Sequence, residues 1–245
     1  MMQGREREQV LVLGPEERSR TLASRLSLLG ACRGVCAETL ESALRVQAAS
    51  PRAFPTGFVA SDHGLPDLDD SLRALGAHGP GGSMHWVAFG PRPAPDALVG
   101  LRRAGVTFAL FEPASDEELR FVLNQALHRD GTAIPRAEQR VPADLPARIV
   151  TKHGEKVALI YNLSATGAYV ATPRPTLRGG AVQLLFSLPG GEVVLGAQVM
   201  WNNVPGNLRR FNAPIGMGLR FTAVPADLQE ELLCWVEQRA RAYRL

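Results

Sequence analysis

The hydrophobic periodicity of this 245-residue chain changes once, near residue 131. Residues 9–130 alternate short apolar runs with stretches in which leucine recurs every three or four positions, which indicates strands alternating with amphipathic helices. The apolar runs are residues 9–13, the surroundings of Val35, and residues 56–60, 85–89 and 106–110. Parallel strands need crossover connections, so five such β-α units predict a parallel sheet with helices on both faces.

Helix-start and helix-stop signals agree with this alternation. Gly30 ends a leucine stripe over residues 16–29, and Thr39 stands where it can cap the next helix. Ser115 and Glu118 form a capping-box pattern ahead of another apolar stripe. A doubly wound α/β domain is therefore predicted for residues 1–130.

The second region reads as short strands separated by turns. Strands are predicted at residues 147–151, 156–161, 168–171, 182–188, 192–201 and 217–221. Pro189-Gly-Gly191 is a hairpin signal, and the whole pattern is typical of an antiparallel barrel. A closing helix begins near Pro225, and its apolar stripe is predicted to pack on the barrel. The turn-rich segment 128–135 marks the boundary, so residues 131–245 form the predicted second domain.

Two polar motifs lie at the start of this second domain. Arg136 and Arg140 are separated by three residues in a proline-flanked segment, and their guanidinium groups suit bidentate contact with phosphate or with the acceptor edge of guanine. Asn162 and Ser164 share one face in an extended chain, and Gly167 permits a turn after them. A solvated basic linker and a strand-end turn held by side-chain to backbone bonds are the structural alternatives.

Arg-x3-Arg followed by Asn-x-Ser-x2-Gly resembles the PilZ domain, the bacterial family that senses cyclic di-GMP. The runs Ala197-Gln-Val-Met-Trp201 and Gly216-Met-Gly-Leu-Arg-Phe221 look like later strands of the same domain. The resemblance implies that Arg136 and Arg140 bind the phosphates and guanine faces of cyclic di-GMP. It also implies that Asn162 and Ser164 bind a guanine edge. The arginine segment would then fold over the barrel as the ligand arrives.

The first domain resembles a response-regulator receiver domain in its topology and in one loop. Asp62-His-Gly-Leu-Pro66 is similar to the phospho-acceptor loop of receivers. The acidic pair that holds Mg²⁺ in that family is here Gly14 and Pro15, and the lysine before a proline is Glu112. Phosphoryl transfer to a carboxylate needs the cation. Asp62 is therefore a poor phospho-acceptor, and a solvated loop or helix-capping role is expected for it.

Composition and residue spacing exclude several other classes. Apolar content is 45% and net charge only +3, which argues against bulk nucleic-acid binding. No apolar run approaches the 18 or so residues of a membrane span, and the three cysteines indicate a reducing cytoplasm. Cys32 and Cys36 have no second cluster, so they are assigned to packing, and no metal is expected. The five histidines are scattered, and no catalytic constellation is found.

Two functional hypotheses follow from the sequence. The first is a cyclic di-GMP receptor without catalysis or other cofactor, whose pseudo-receiver domain passes the signal to a protein partner in motility or surface behaviour. The second is a nucleotide-independent adaptor that uses both domains for protein contacts. Nucleic-acid binding is a weaker third hypothesis, because the barrel strands lack an exposed aromatic series.

Overall fold

The computed structural model describes residues 8–29, 32–64, 67–79, 83–127, 139–206 and 213–245. The chain divides into two compact units. The first comprises Met1–Ala133 together with Tyr243–Leu245, and the second comprises Ile134–Ala242. The sequence analysis placed all of residues 131–245 in the second domain. In the structure, the last three residues belong to the first unit instead.

The first unit is a five-stranded parallel sheet with helices, as predicted. Its strands are β1 (Gln9–Leu13), β2 (Arg33–Ala37), β3 (Thr56–Ala60), β4 (His85–Gly90) and β5 (Val106–Phe111). Its helices are α1 (Glu16–Leu28), α2 (Leu40–Ala49), α3 (Leu68–Gly76), α4 (Pro95–Arg103) and α5 (Asp116–Leu127). The strand order is β2-β1-β3-β4-β5, and every neighbouring pair is parallel.

Alternation along the strands gives this sheet two separate cores. In β1, Val10 and Val12 pack with residues of α1 and α5. Leu11 and Leu13 face the other way and pack with residues of α2, α3 and α4. Successive side chains of a strand point to opposite faces, so a run that is apolar throughout must be covered on both sides. The predicted caps at Thr39 and Ser115 are both present.

Residues 243–245 extend the first unit along the outer edge of β5. The Ala109 amide donates to the Tyr243 carbonyl at 3.0 Å, and the Leu245 amide donates to the Thr107 carbonyl at 3.3 Å. Tyr243 also donates its hydroxyl hydrogen bond to Glu118 and packs its ring against Phe121. An open sheet edge presents unpaired backbone groups, and this short antiparallel segment pairs some of them.

The second unit is a closed antiparallel barrel of six strands followed by a helix. The strands are β6 (Val141–Thr151), β7 (Gly154–Ser164), β8 (Gly167–Ala171), β9 (Ala181–Leu188), β10 (Gly191–Asn203) and β11 (Gly216–Thr222), in the order β10-β11-β8-β7-β6-β9. The helix α6 spans Ala226–Arg241. Its Leu232 is buried in the barrel core, with Leu228 and Trp235 packed beside it, which confirms the predicted role of the stripe.

Two strands are longer than the sequence analysis predicted. β6 begins at Val141 rather than at 147, and β7 continues through Asn162 to Ser164 rather than ending at 161. Asn162 and Ser164 therefore lie within the barrel sheet and not beyond the end of its strand. Arg140 immediately precedes β6, so its backbone is fixed by the first pair of that strand, Val141 with Leu163.

Candidate functional site

A β-bulge at Tyr161 sets the direction of the Asn-x-Ser motif. Ile160 pairs with Val170 and Asn162 pairs with Tyr169, so Tyr161 is the extra residue of β7. The bulge shifts the alternation, and Ile160 and Leu163 both face the barrel core. Asn162 and Ser164 therefore share the outer face of the barrel, as their spacing predicts.

Arg140 and Asn162 meet on this outer face. Arg140 Nη1 donates a hydrogen bond to Asn162 Oδ1 at 3.0 Å, and both side chains are half-buried. The two residues are brought together because β6 pairs antiparallel with β7. Arg136, the other arginine of the predicted motif, lies outside the described residues.

Gly167 lies beside the Arg140 guanidinium on the barrel surface. A Cβ atom at Gly167 would lie 2.3 Å from the Leu219 carbonyl oxygen of β11 and 3.4 Å from Arg140 Nη2. Gly167 does not have a positive φ, so the backbone conformation of the turn does not itself require glycine at this position. The requirement is instead the close approach of the β11 backbone, which leaves no room for a side chain.

Ser164 holds the two-residue turn between β7 and β8. Its side chain is 0% exposed, and its Oγ donates a hydrogen bond to the Gly167 carbonyl at 3.1 Å. Ser164 and Gly167 are also the closing pair of the hairpin. The predicted alternative of a strand-end turn held by a side chain therefore describes Ser164 in this structure, and its direct contact with a ligand stays a prediction.

An aromatic set continues the site across the barrel and was missed by the sequence analysis. Strand pairing aligns Asn162, Tyr169, Gly218 and Trp201 side by side, and we call this the Asn162 row. Trp201 stacks on Tyr169 with ring centroids 4.9 Å apart and an interplanar angle of 16°. A Cβ at Gly218 would lie 2.1 Å from Trp201 Nε1, so this glycine makes room for the indole.

Asp62, the residue at the receiver-like phospho-acceptor position, is held by an arginine. Arg18 Nη1 lies 2.5 Å from Asp62 Oδ1, with the two side chains 31% and 42% exposed. The Asp62 side chain is partly exposed, and Arg18 is a partner that the sequence analysis did not identify. The hydrogen bond to Asp62 raises the pKa of Arg18, although desolvation opposes the shift. Glu16, the acidic residue next to Gly14 and Pro15, pairs with Arg20.

Three further observations concern metal ligands, the cysteines and membrane spans in the part of the chain that the structure describes. Within the described residues, no group of three or more His, Cys, Asp or Glu side chains could hold a metal. Burial raises the pKa of the Cys32 thiol to about 12, and Cys32 belongs to a hydrophobic core. No described helix is long and apolar enough to cross a membrane.

The structure thus combines a receiver-like α/β unit with a six-stranded antiparallel barrel that carries an arginine–asparagine pair on its outer face. The barrel is a PilZ domain, since residues 135–238 match the family model of that name. The match includes both predicted motifs. A comparison with curated protein sequences gives no match.

Solved structures similar to the chain fall into two groups, one for each unit. The inhibitor of motility MotI/DgrA of Bacillus subtilis is 26% identical over 44% of this chain and 53% of its own, with a TM-score of 0.37. This chain thus spans about half the length of that protein. The PilZ domain of Escherichia coli YcgR with c-di-GMP is 17% identical over 44% of this chain and 93% of its own, with a TM-score of 0.35. The chemotaxis response regulator CheY4 of Vibrio cholerae is 14% identical over 49% of this chain and 99% of its own, with a TM-score of 0.41.

Proposed function

We propose that this protein is a cyclic di-GMP receptor that acts without catalysis. The observation that carries the proposal is the Arg140–Asn162 pair, which lies beside the side-chain-free surface of Gly167 on the outer face of a PilZ barrel. These three residues are separated in sequence by up to 27 positions and are brought together by the pairing of β6, β7 and β8.

The chemistry of the pair suits a guanine nucleotide. The Arg140 guanidinium is permanently charged and presents a planar fork of donors, which matches a phosphate or the O6 and N7 acceptors of guanine. Asn162 Oδ1 accepts from Arg140, and this contact orients the side chain so that its amide nitrogen remains a donor for a ligand. The charge of arginine suits the phosphates, and the donor and acceptor of the asparagine amide suit the edge of a purine base.

Arg136 and Ser164 complete the proposed site in different ways. Arg136 is proposed as the second phosphate or guanine contact, on the resemblance of its motif. Ser164 is proposed to act mainly through the hairpin that it closes, because its hydroxyl is buried and donates to Gly167. The segment with Arg136 would then close over the ligand, and the free energy for that ordering would come from ligand affinity for the closed form.

The output is proposed to pass through a protein partner in the cytoplasm. PilZ and receiver-like domains are regulatory, and the resemblance implies an effect on motility or surface behaviour. The competing hypothesis is an adaptor in which the Arg140–Asn162 hydrogen bond only stabilises the barrel. The hydrogen bond between Arg140 and Asn162 supports this hypothesis as well, because it ties the residue before β6 to β7 whether or not a nucleotide binds.

Titration calorimetry of the purified full chain with cyclic di-GMP tests the proposal. We expect a dissociation constant of about 1 μM or lower, equivalent to roughly −8 kcal/mol. GTP, which shares the guanine base but not the cyclic phosphodiester ring, and cyclic di-AMP, which shares the ring but not the base, serve as competitors. Absence of heat, together with no protection of the barrel against thermal unfolding at high ligand concentration, would favour the adaptor hypothesis.

A further inference from the structure

A second cross-strand row lies next to the Asn162 row and contains an arginine that neither motif includes. Strand pairing aligns Ser164 with Gly167, Gly167 with Arg220, and Arg220 with Gln198, and we call this the Ser164 row. Neighbouring strands are about 4.8 Å apart, so Arg220 begins one strand away from Gly167. None of the other described residues in this row carries a charge.

The direction of Arg220 follows from the alternation of β11. Met217, Leu219 and Phe221 belong to the barrel core. Arg220 therefore points to the outer face, and its side chain is exposed. Residues aligned on neighbouring strands share a face, so the guanidinium group leaves the same surface as Asn162 and Gly167.

A glycine lies beside Arg220 on the neighbouring strand. Gly167 is directly across from it on β8 and carries no side chain, whereas the space at Gly218, two residues before Arg220, is filled by the Trp201 indole. Arg140 Nη2 lies 3.4 Å from the position that a Gly167 Cβ would take, so Arg140 and Arg220 flank Gly167 from opposite sides. Among the residues that the structure describes, Arg220 makes no ion pair and no side-chain hydrogen bond.

We propose that Arg220 is a further ligand-binding residue of the barrel, which contacts a phosphate of the bound nucleotide from the side of Gly167 opposite Arg140. The assignment rests on the proposed function and deepens it. Two guanidinium groups separated by a glycine form a cradle for a dianionic ligand, because each can approach the phosphates without a side chain between them. Cyclic di-GMP carries two phosphates in one ring, so two cations on opposite sides of Gly167 suit it.

Arg220→Ala is the direct test, with Arg148→Ala as the matched control. Arg148 is also an exposed outward arginine of a barrel strand, but it pairs with Glu155 and Glu192 and lies outside both rows. Calorimetry with cyclic di-GMP is expected to show about 10-fold weaker binding for Arg220→Ala, the lower end of the effect of losing a charge-assisted contact. Arg148→Ala should bind like the wild type, and both variants should unfold at the wild-type temperature.

Two further measurements separate a phosphate contact from a guanine contact or an indirect effect. Arg220→Lys keeps a point charge but loses the planar fork, so it should retain most of the affinity if the partner is a phosphate. The salt dependence of binding should also become shallower in Arg220→Ala, because one cation fewer faces the phosphates. A lysine variant as weak as the alanine variant would overturn the phosphate assignment.

The outcomes distinguish this assignment from the proposed function. If the wild type binds cyclic di-GMP and Arg220→Ala binds equally well, only the role of Arg220 is overturned. If the wild type does not bind the dinucleotide at all, the proposed function and the role of Arg220 are both overturned. If Arg220→Ala lowers the unfolding temperature as much as it lowers affinity, the residue is structural and the assignment fails.

Discussion

Each unit of this protein holds an arginine against a side-chain oxygen at its candidate ligand position, and the two pairs differ in the charge of that oxygen. Arg18 contacts the carboxylate of Asp62 at the end of β3. Arg140 contacts the amide oxygen of Asn162 on the outer face of the barrel. The carboxylate neutralises its arginine, whereas the amide orients the guanidinium without cancelling its charge.

The comparison shows that an arginine can be held by a charged partner at one candidate site and by a neutral partner at the other. In the receiver-like unit, the Arg18 side chain lies against the carboxylate that would receive a phosphoryl group, and Glu112 adds a second attractive negative charge for it. In the barrel, the Arg140 guanidinium contacts the neutral amide oxygen of Asn162, and this contact does not itself cancel the charge of the arginine. The first site is therefore predicted to be inert and the second to be responsive.

The largest expected effect tests whether the barrel site depends on the space at Gly167. Gly167→Val would place side-chain atoms against the Leu219 carbonyl, 2.3 Å from the Cβ position alone. We expect a loss of about 3 kcal/mol or more in the free energy of unfolding, because a backbone atom of a neighbouring strand cannot move aside easily. Chemical denaturation measures this directly.

Gly100→Ala is the control for this substitution. A Cβ at Gly100 meets no atom within 4 Å, and the residue lies in α4. Alanine in a helix is favoured over glycine by roughly 0.5–1 kcal/mol, so this variant should be slightly more stable than the wild type. A Gly167→Val protein that unfolds like the wild type would show that β8 and β11 are not held as closely as described.

The second effect tests the chemistry of the Arg140–Asn162 pair. Arg140→Ala removes a charge-assisted contact worth about 1.5–3 kcal/mol, so affinity for cyclic di-GMP should fall roughly 10- to 150-fold. Arg136→Ala is expected to behave in the same way. Arg140→Ala should unfold within about 0.5 kcal/mol of the wild type, since Arg140 belongs to none of the hydrophobic cores of the described residues. The same is expected of Arg136→Ala, because its motif lies ahead of the barrel in the sequence. A large drop in melting temperature with unchanged affinity would make the arginines structural and the receptor proposal wrong.

Much of the fold could be predicted because the signals are local. The helical stripes, the caps at Thr39 and Ser115 and the apolar runs of the parallel sheet depend on residues a few positions apart. The start of β6 was missed because Pro142 and Pro146 argue against a strand. A register shift between Pro142 and Leu145 accommodates part of this segment, and no propensity scale shows it.

The contacts between distant residues could not be predicted from one sequence. Arg18 and Asp62 are 44 residues apart, and Tyr243 and Glu118 are 125 residues apart. Nothing in the local pattern of either pair indicates the other member. The same holds for the aromatic stack of Tyr169 and Trp201, which depends on Gly218 lying between them in the sheet. The candidate site was found through its motifs, and its neighbours required the strand register.

The third effect concerns Ser164 and should be smaller than that of either arginine. Ser164→Ala removes a neutral hydrogen bond to the Gly167 carbonyl, which costs about 0.5–1.5 kcal/mol of stability. Affinity should fall less than in Arg140→Ala, because the hydroxyl is buried and acts through the turn. Ser187→Ala, an exposed position of β9, is the matched control and should change neither quantity. An affinity loss as large as that of Arg140→Ala, without a change in stability, would make Ser164 a direct ligand.

The smallest expected effect is at the receiver-like site, where beryllofluoride with Mg²⁺ should bind negligibly to the wild type. Gly14 and Pro15 offer no carboxylate for the metal, and Arg18 already pairs with Asp62.

Arg18→Ala separates these two causes. It removes an exposed ion pair worth about 0.2–1 kcal/mol, so stability should change little, as it should in the control Arg73→Ala. We expect Arg18→Ala to bind no beryllofluoride either, because freeing Asp62 does not restore the missing metal ligands. An adduct that forms in Arg18→Ala and is lost when Asp62→Asn is added would show that Arg18 alone keeps this site closed, and the contrast between an inert and a responsive arginine would then depend on one side chain.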